Sequence, residues 1–198
     1  MARRKDQAAR RRQLRQAARR AIAARGIDGL RVKDVAEAAG LSSQSVLYYY
    51  PELDALVEEA LQHTLERFAE RRAVEAGDDP RAALEATIAG GLPSGPDDED
   101  LRILYEAAGH FRDNPVLGDQ IRALTGRQVE IYRRLLEQGE AQGVFTLADT
   151  SESIARNLVA LEDAYGLYII GGAPIAGEAL RQILSFASMA TGARLAAP

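Results

Sequence analysis

The chain has 198 residues, and 46% of them are hydrophobic, which suits one or two domains with a sizeable apolar core. It contains no cysteine, so disulfide frameworks, zinc ribbons and cysteine nucleophiles are excluded. Two histidines, His63 and His110, are too few for an HExxH motif or a three-histidine metal site. The chain also lacks a G-x-S-x-G motif and a glycine-rich phosphate loop, and we therefore predict a protein that is not an enzyme and has no metal or cofactor.

The net charge of -4 is unevenly distributed along the chain. Residues 1–50 carry 12 Lys and Arg against 4 Asp and Glu, whereas residues 51–198 carry 13 basic and 25 acidic residues. A basic segment attracts a polyanion such as DNA through counterion release, while the acidic remainder is repelled by it. The pattern favours a nucleic-acid partner for the first segment, with an ordinary solvated charged helix as the alternative.

No segment is apolar enough to span a bilayer, which requires about 20 consecutive apolar residues. The best candidate, 164–177, is short and is interrupted by Gly171, Gly172 and Pro174. The arginine-rich start is not followed by an apolar stretch, so we expect no secretory signal, no membrane partner and a cytoplasmic location.

Apolar residues recur every three or four positions and no run alternates, which predicts an all-α protein. Glycines and prolines mark the ends of the helices, and residues 90–100 read as a mobile loop without tight packing. Asp149 and Glu152 have the spacing of a capping box before the helix from Thr150. Outside the motif described below, the predicted helices are 8–25, 52–76, one from Pro80, 101–112, a long one closed by Gly143, 150–170 and 174–195.

The last two predicted helices are apolar on more than one side, although a helix with one buried face needs a single stripe. The surplus predicts a second contact, most simply the other subunit of a homodimer, with a hairpin wholly buried within one chain as the alternative. The residues concerned are Leu158, Val159, Leu161, Tyr165, Tyr168, Ile169, Ile183 and Leu184.

The segment from Val32 to Tyr49, VKDVAEAAGLSSQSVLYY, has the layout of a helix-turn-helix. Gly40 supplies a positive φ at the turn, and Ser42 caps the second helix. We expect Val46 and Leu47 to return to the core behind the cap. A helical hairpin that only packs against the rest of the protein is the alternative.

The second helix of this motif carries short polar side chains on its first turn, as a helix that reads the major groove requires. Gln pairs in bidentate fashion with adenine and Ser with several base edges, whereas tyrosine hydroxyls one turn later reach phosphate oxygens. The predicted DNA contacts are Ser42, Ser43, Gln44, Ser45, Tyr48 and Tyr49.

These residues, VKDVAEAAGLSSQSVLYYY followed by Pro51 and a new helix, resemble the DNA-binding domain of the TetR family of bacterial regulators from about Leu14 to Glu52. The resemblance implies a DNA-binding domain at 1–51 and a helical effector-binding and dimerisation domain at 52–198, with 52–76 as the connecting helix. Arg31 stands where many members have a capping Thr, and Leu53 where they have a phosphate-contacting Lys. We expect Lys33 or the arginines of the first helix to supply that contact.

Aromatic and polar residues on the apolar helices of the second domain are candidates for an effector pocket. Glu162 and Asp163 stand out because carboxylates are costly to bury without a partner, and with nearby tyrosines they would suit an amine. A solvated helix edge or an intersubunit salt bridge is the alternative, and LEDAYGL is similar to the last domain of the family's choline-responsive branch. The candidates are Tyr105, His110, Phe111, Tyr132, Asn157, Glu162, Asp163, Tyr165 and Tyr168.

Taken together, the residues and the resemblance predict a transcriptional regulator that binds a near-palindromic DNA operator as a homodimer. We predict a repressor that a small-molecule effector releases from DNA. The alternative is a DNA-binding or architectural dimer without a ligand.

Overall fold

The computed structural model describes residues 2–72, 79–110 and 114–197. Within these ranges the chain forms nine α-helices and no strand, so the all-α prediction is confirmed. The helices are α1 (Ala2–Arg25), α2 (Val32–Ala39), α3 (Ser43–Tyr49), α4 (Leu53–Arg72), α5 (Pro80–Gly91), α6 (Glu99–Ala108), α7 (Pro115–Ala141), α8 (Ser151–Ile170) and α9 (Ala176–Thr191). No helix in this part of the chain combines the length and the apolar character that a membrane crossing requires.

The helices pack into two compact units. Of the described residues, the first contains 2–68, 99–110 and 114–120, and the second contains 69–72, 79–98 and 121–197. Packing therefore groups α6 with the N-terminal helices. The predicted division of the chain at residue 52 concerns function rather than packing, and it stays a prediction.

The first unit is organised around the apolar side of α1. Leu14, Ala18, Ala21 and Ile22 are all buried, as their spacing predicts. The helix begins six residues earlier than expected, at Ala2, and ends at Arg25, where Gly26 adopts a φ of +77°. Such a conformation favours glycine because it has no Cβ.

A buried arginine joins three helices of the first unit. The Arg19 guanidinium, on α1, donates from Nε to Thr64 Oγ1 of α4 at 3.0 Å. Its Nη2 binds the Asp100 carboxylate of α6 and lies 3.0 Å from Glu99 Oε1. Arg67 of α4 approaches the same Asp100 oxygen at 3.4 Å. Charge pairing in a buried position thus fixes α6 against α1 and α4.

The second unit has a continuous apolar core built from α5, α8, α9 and the C-terminal part of α7. Phe145, just after α7, folds back against Gly139, where an added Cβ would lie 2.0 Å from the ring. The buried Tyr132 and Leu136 of α7 belong to the same core. Most of the surplus apolar residues predicted on the last two helices are buried here within one chain, namely Leu158, Val159, Ile169, Ile183 and Leu184.

Two local predictions for the second unit are wrong. The N-cap of α8 is Thr150, whose side chain accepts the Ser153 N–H at 3.2 Å, and not Asp149. Asp149 instead accepts from the Thr150 N–H and the Ser153 hydroxyl, and these hydrogen bonds, chiefly that from Ser153, lower its pKa. Glu152 pairs with Arg156 rather than closing a capping box.

The segment predicted as a mobile loop, 90–100, is also packed more tightly than expected. α5 continues to Gly91 and α6 begins at Glu99, which leaves a short connection. Within it, the buried Asp98 carboxylate accepts from the Ser94 N–H at 3.1 Å and from Arg71 Nη1 at 2.9 Å. A buried carboxylate with several donors orders a segment whose composition is typical of a loop.

Candidate DNA-binding interface

The turn between α2 and α3 has the geometry that the sequence predicts. Gly40 adopts a φ of +66°, and its N–H is hydrogen-bonded to the last turn of α2. Ser42 has extended backbone angles, and its hydroxyl accepts the Ser45 N–H at 3.2 Å. Together these features turn the chain sharply and start α3 as a separate helix.

A buried carboxylate replaces the missing capping side chain at the start of α2. Arg31, the residue before the helix, provides no side-chain cap. The Asp34 carboxylate accepts the Arg31 N–H at 2.9 Å and lies 3.4 Å from Arg25 Nε at the end of α1. Asp34 thus satisfies an otherwise free donor and ties α2 to α1. Lys33, beside it, is exposed.

One face of α3 is exposed, and it differs from the predicted face. Its exposed residues are Ser43, Gln44, Leu47 and Tyr48, which lie at helical spacing on one side. Leu47 was expected in the core but is 42% exposed, because Val46 fills the core position of that turn. The outward face carries no charge, so it presents hydrogen-bonding and apolar groups only.

Three of the predicted DNA contacts interact with other residues of the protein. The hydroxyls of Ser42 and Ser45 lie 2.9 Å apart and hydrogen-bond to each other in addition to the cap. Tyr49 is half-buried and packs edge-on against Tyr48 at a centroid distance of 5.1 Å. Ser43, Gln44 and Tyr48 therefore remain as the most accessible members of the predicted set.

Tyr50, which the sequence analysis did not select, attaches the end of α3 to two other helices. Its side chain is buried, and its hydroxyl donates to Glu59 Oε2 of α4 at 2.7 Å. The Arg11 guanidinium of α1 lies over the ring at 4.6 Å and 3.2 Å from Glu59. Burial and the hydrogen bond to Glu59 raise the pKa of Tyr50. The sequence does contain a pattern that indicates this burial. Tyr50 follows Val46 by four residues, and this spacing places both side chains on the inner side of the segment.

The arginines of α1 have different environments. Arg20 donates to the Ala38 carbonyl at 2.7 Å, which ties α1 to α2, and Arg19 is buried as described above. Arg12 and Lys33 are exposed cations of this unit. Leu53 is half-buried at the start of α4 and supplies no charge there.

The predicted effector residues are not gathered in one place. In the second unit, Tyr132 and Glu162 are both buried, and the Tyr132 hydroxyl donates to Glu162 Oε1. Tyr165 packs on the same core, whereas Asn157, Asp163 and Tyr168 are exposed. The carboxylates of the Glu162–Asp163 pair therefore have different environments.

The remaining effector candidates belong elsewhere. Tyr105 is half-buried on α6 in the first unit. His110 Nε2 lies 3.5 Å from Asp28 Oδ1 in that unit, and Phe111 lies outside the described residues. Asn157 lines a depression of about 230 Å³ between α8 and α9, together with the exposed Met189. Among the residues with described side chains, no cluster of three or more acidic or histidine groups is placed to hold a metal ion.

A sharp glycine turn, a side-chain-capped second helix and an uncharged outward face define a helix-turn-helix DNA-binding domain. Residues 14–60 match the sequence model of the bacterial regulatory proteins of the tetR family. This match confirms the predicted resemblance of the segment to the DNA-binding domain of the TetR family of transcriptional regulators.

Solved structures share the fold over nearly the whole chain. A TetR-family regulator from Rhodococcus sp. is 25% identical, with a TM-score of 0.78 over 92% of this chain and 98% of that one. A TetR regulator from Haloarcula marismortui is 23% identical, with a TM-score of 0.82 over 94% and 99%. A transcriptional regulator from Saccharomonospora viridis, solved in complex with choline, is 23% identical, with a TM-score of 0.82 over 90% and 95%. No significant match to a curated protein sequence was found.

Proposed function

We propose that the protein is a repressor that binds a near-palindromic operator as a homodimer and leaves it when a small molecule binds. It would act in the cytoplasm, where a bacterial chromosome is accessible. The observation that carries this proposal is the outward face of α3, where Gln44 is exposed beside Ser43 on a capped helix without charged residues. Because this face carries no acidic side chain, the helix can enter the major groove without the removal of water from a carboxylate.

Base reading and backbone attraction are assigned to different residues. Gln44 has the amide that pairs with the N6 and N7 positions of adenine. Lys33 is an exposed cation beside the buried Asp34 and suits a phosphate oxygen. The two variants should therefore behave differently towards sequence and salt.

The test starts from selection of bound DNA from a random pool, followed by titration of the selected duplex. Gln44→Ala is expected to relax the preference at one base position by about 1 to 3 kcal/mol. Lys33→Ala should weaken binding to all DNA sequences alike. It should also reduce the slope of log affinity against log salt concentration by about one. Gln142→Ala, at an exposed glutamine just after α7, is the matched control and should do neither. If both test variants act identically on every sequence, the assignment of roles is wrong.

Dimerisation is supported by apolar side chains left exposed on the last two helices. Leu167 and Tyr168 on α8 and Met189 on α9 are all exposed within the second unit. A two-fold dimer reads half-sites whose centres are separated by about one helical turn of 10 base pairs, or a multiple of it. Sedimentation should show a dimer at micromolar concentration, and Leu167→Glu should weaken it. Val116→Glu, at an equally exposed apolar position on α7, is the control.

For the effector, we propose a small organic cation that uses the buried Glu162 carboxylate and the Tyr132 ring. A buried carboxylate favours an opposite charge, and aromatic faces attract quaternary ammonium groups. The neighbour from Saccharomonospora viridis holds choline, which makes choline the first compound to test. Because Asp163 is exposed, we assign binding of the cation, which was expected of both carboxylates, to Glu162 alone.

Calorimetry with choline and other quaternary amines tests this assignment. Glu162→Gln keeps an acceptor for Tyr132 but removes the charge, so it should weaken binding of the cation and leave operator affinity unchanged. Asp163→Asn, at the exposed neighbouring position, should bind as the wild type does. Operator DNA must lower the affinity of the protein for the amine by the same factor by which the amine lowers its affinity for the operator. This factor is typically about 5- to 150-fold. Equal affinities of the wild type and Glu162→Gln for every amine would refute the cationic effector.

The sign of regulation needs a separate measurement. A reporter with the selected operator placed across its promoter should be silenced by the protein and restored by the effector. A dimer that binds the operator but responds to no compound would favour the architectural alternative. A selection that enriches no sequence would refute the proposed function as a whole.

A further inference from the structure

Leu47 lies on the exposed face of α3 although a leucine at this point was expected in the core. Isolated exposed leucines are common on protein surfaces, so exposure alone assigns no role. The position is informative because Val46 of the same short helix and Tyr50, the residue that follows it, are buried and fill the inner side of this segment. Leu47 therefore has no place in the core, and its side chain extends outward beside the predicted base-reading residue.

The neighbours of Leu47 on the outward face are those that a base-reading helix needs. Gln44 precedes it by three positions and Ser43 by four, so the three side chains are adjacent on the helix surface. The outward face carries no charged side chain, so no such group lies beside the leucine where it would contact the bases.

The spacing along the helix compares well with the spacing of bases. Three residues advance the α-helix by about 4.5 Å, and successive bases on one strand are about 3.4 Å apart. With Gln44 on an adenine, Leu47 therefore reaches a base pair next to it. In the major groove the one apolar group that a base pair presents is the C5-methyl group of thymine.

We infer that Leu47 is a specificity-determining residue that contacts the C5-methyl group of a thymine adjacent to the adenine read by Gln44. The contact excludes water from both apolar groups. It discriminates against cytosine, which lacks the methyl group, without any hydrogen bond. This inference rests on the proposed function and assigns part of its base preference to an apolar contact.

Replacement of thymine by uracil removes the methyl group and leaves base pairing unchanged, which makes it the direct probe. The full-length protein is titrated with the selected operator, in which each thymine of a half-site is exchanged in turn for uracil. Exchange at one position should weaken wild-type binding by about fourfold for each half-site, the ratio expected when one methyl-sized group is no longer buried. Exchange outside the half-sites should have no effect.

Variants assign the sensitive position to Leu47. Leu47→Ala should bind the thymine and uracil operators equally, whereas Leu47→Met, of similar volume, should keep a preference for thymine. Because Leu47 is exposed, both variants are expected to fold, and thermal denaturation checks this. Val116→Ala removes an exposed apolar side chain from α7 and should keep the full uracil effect.

The outcomes separate this inference from the proposed function. A wild type that selects an operator but tolerates uracil at every position refutes the role of Leu47 and leaves the regulator intact. A uracil effect that persists in Leu47→Ala and disappears in Tyr48→Ala moves the contact to the exposed tyrosine and also refutes it. A wild type without sequence preference refutes both.

Discussion

Replacing Asp100 by leucine is expected to destabilise the first unit strongly, because it leaves the Arg19 guanidinium buried with an incomplete set of partners. Arg19 is only 6% exposed, and Asp100 is the least exposed of its two acidic partners. Thr64 Oγ1, at 3.0 Å, is a neutral acceptor and does not replace a carboxylate. Removing one partner of a buried ion pair typically costs about 3 to 5 kcal/mol.

The double variant Arg19→Met with Asp100→Leu removes both charges and should be more stable than Asp100→Leu alone. Apolar replacement of a whole buried pair is often neutral, so we expect recovery of at least about 2 kcal/mol. Since 1 kcal/mol corresponds to about 2 to 4 °C for chains of 150 to 250 residues, the single variant should melt about 6 to 20 °C lower.

Thermal and urea denaturation give the stabilities of the four members of this double-mutant cycle, and hydrogen exchange at α1 amides locates the effect in the first unit. Arg156→Met is the control, because it breaks the exposed pair with Glu152 at 2.6 Å. Exposed pairs of this kind contribute about 0 to 1 kcal/mol. An Asp100→Leu variant no less stable than this control, or a double variant no more stable than Asp100→Leu, would refute the reasoning.

Three further outcomes follow from local geometry. Gly139→Ala places a Cβ 2.0 Å from the Phe145 ring and should lower the free energy of unfolding by about 1 to 3 kcal/mol, measured by thermal denaturation. The control is Gly126→Ala, which has open space on the same helix and should raise the free energy of unfolding by about 0.5 to 1 kcal/mol. Ser42→Ala removes the cap of α3 and should cost about 1 kcal/mol in urea denaturation, with weaker operator binding. Hydrogen bonds from two neighbouring arginines lower the pKa of Glu130 from 4.5 to about 2. The ionised Glu130 therefore stabilises the protein above pH 4.5, and this effect is lost as the pH falls towards 2. Titration of the carboxyl group near pH 4.5, measured by NMR, would contradict this. So would a Glu130→Gln variant whose free energy of unfolding differs from that of the wild type by the same amount at pH 7 and pH 2.

Much of the fold was predictable because its signals are local. The apolar stripe of α1, the glycine at its end and the turn at Gly40 depend on residues within a few positions of one another. The cap at Ser42 is equally local, since donor and acceptor are three residues apart. These features gave the helix-turn-helix correctly.

Interactions between distant residues account for the predictions that failed. A helix of seven residues has too few turns for periodicity to decide between Val46 and Leu47, and packing against the rest of the unit decides it. The connection after α5 has the composition of a mobile loop, yet Asp98 binds Arg71, which is 27 residues earlier. The effector candidates could be recognised as polar groups on apolar helices, but their burial depends on neighbours that the sequence does not reveal.

The side chains of Ser43, Gln44 and Leu47 make no hydrogen bond to the rest of the described chain, whereas Tyr50 anchors the same helix from its inner side. The proposed function thus assigns specificity and stability to different residues of one short segment. If the proposed roles hold, substitutions on the outward side change the DNA sequence that is preferred without loosening the domain. Duplicated copies of such a gene would be free to acquire new target sites in single steps, each with a folded intermediate.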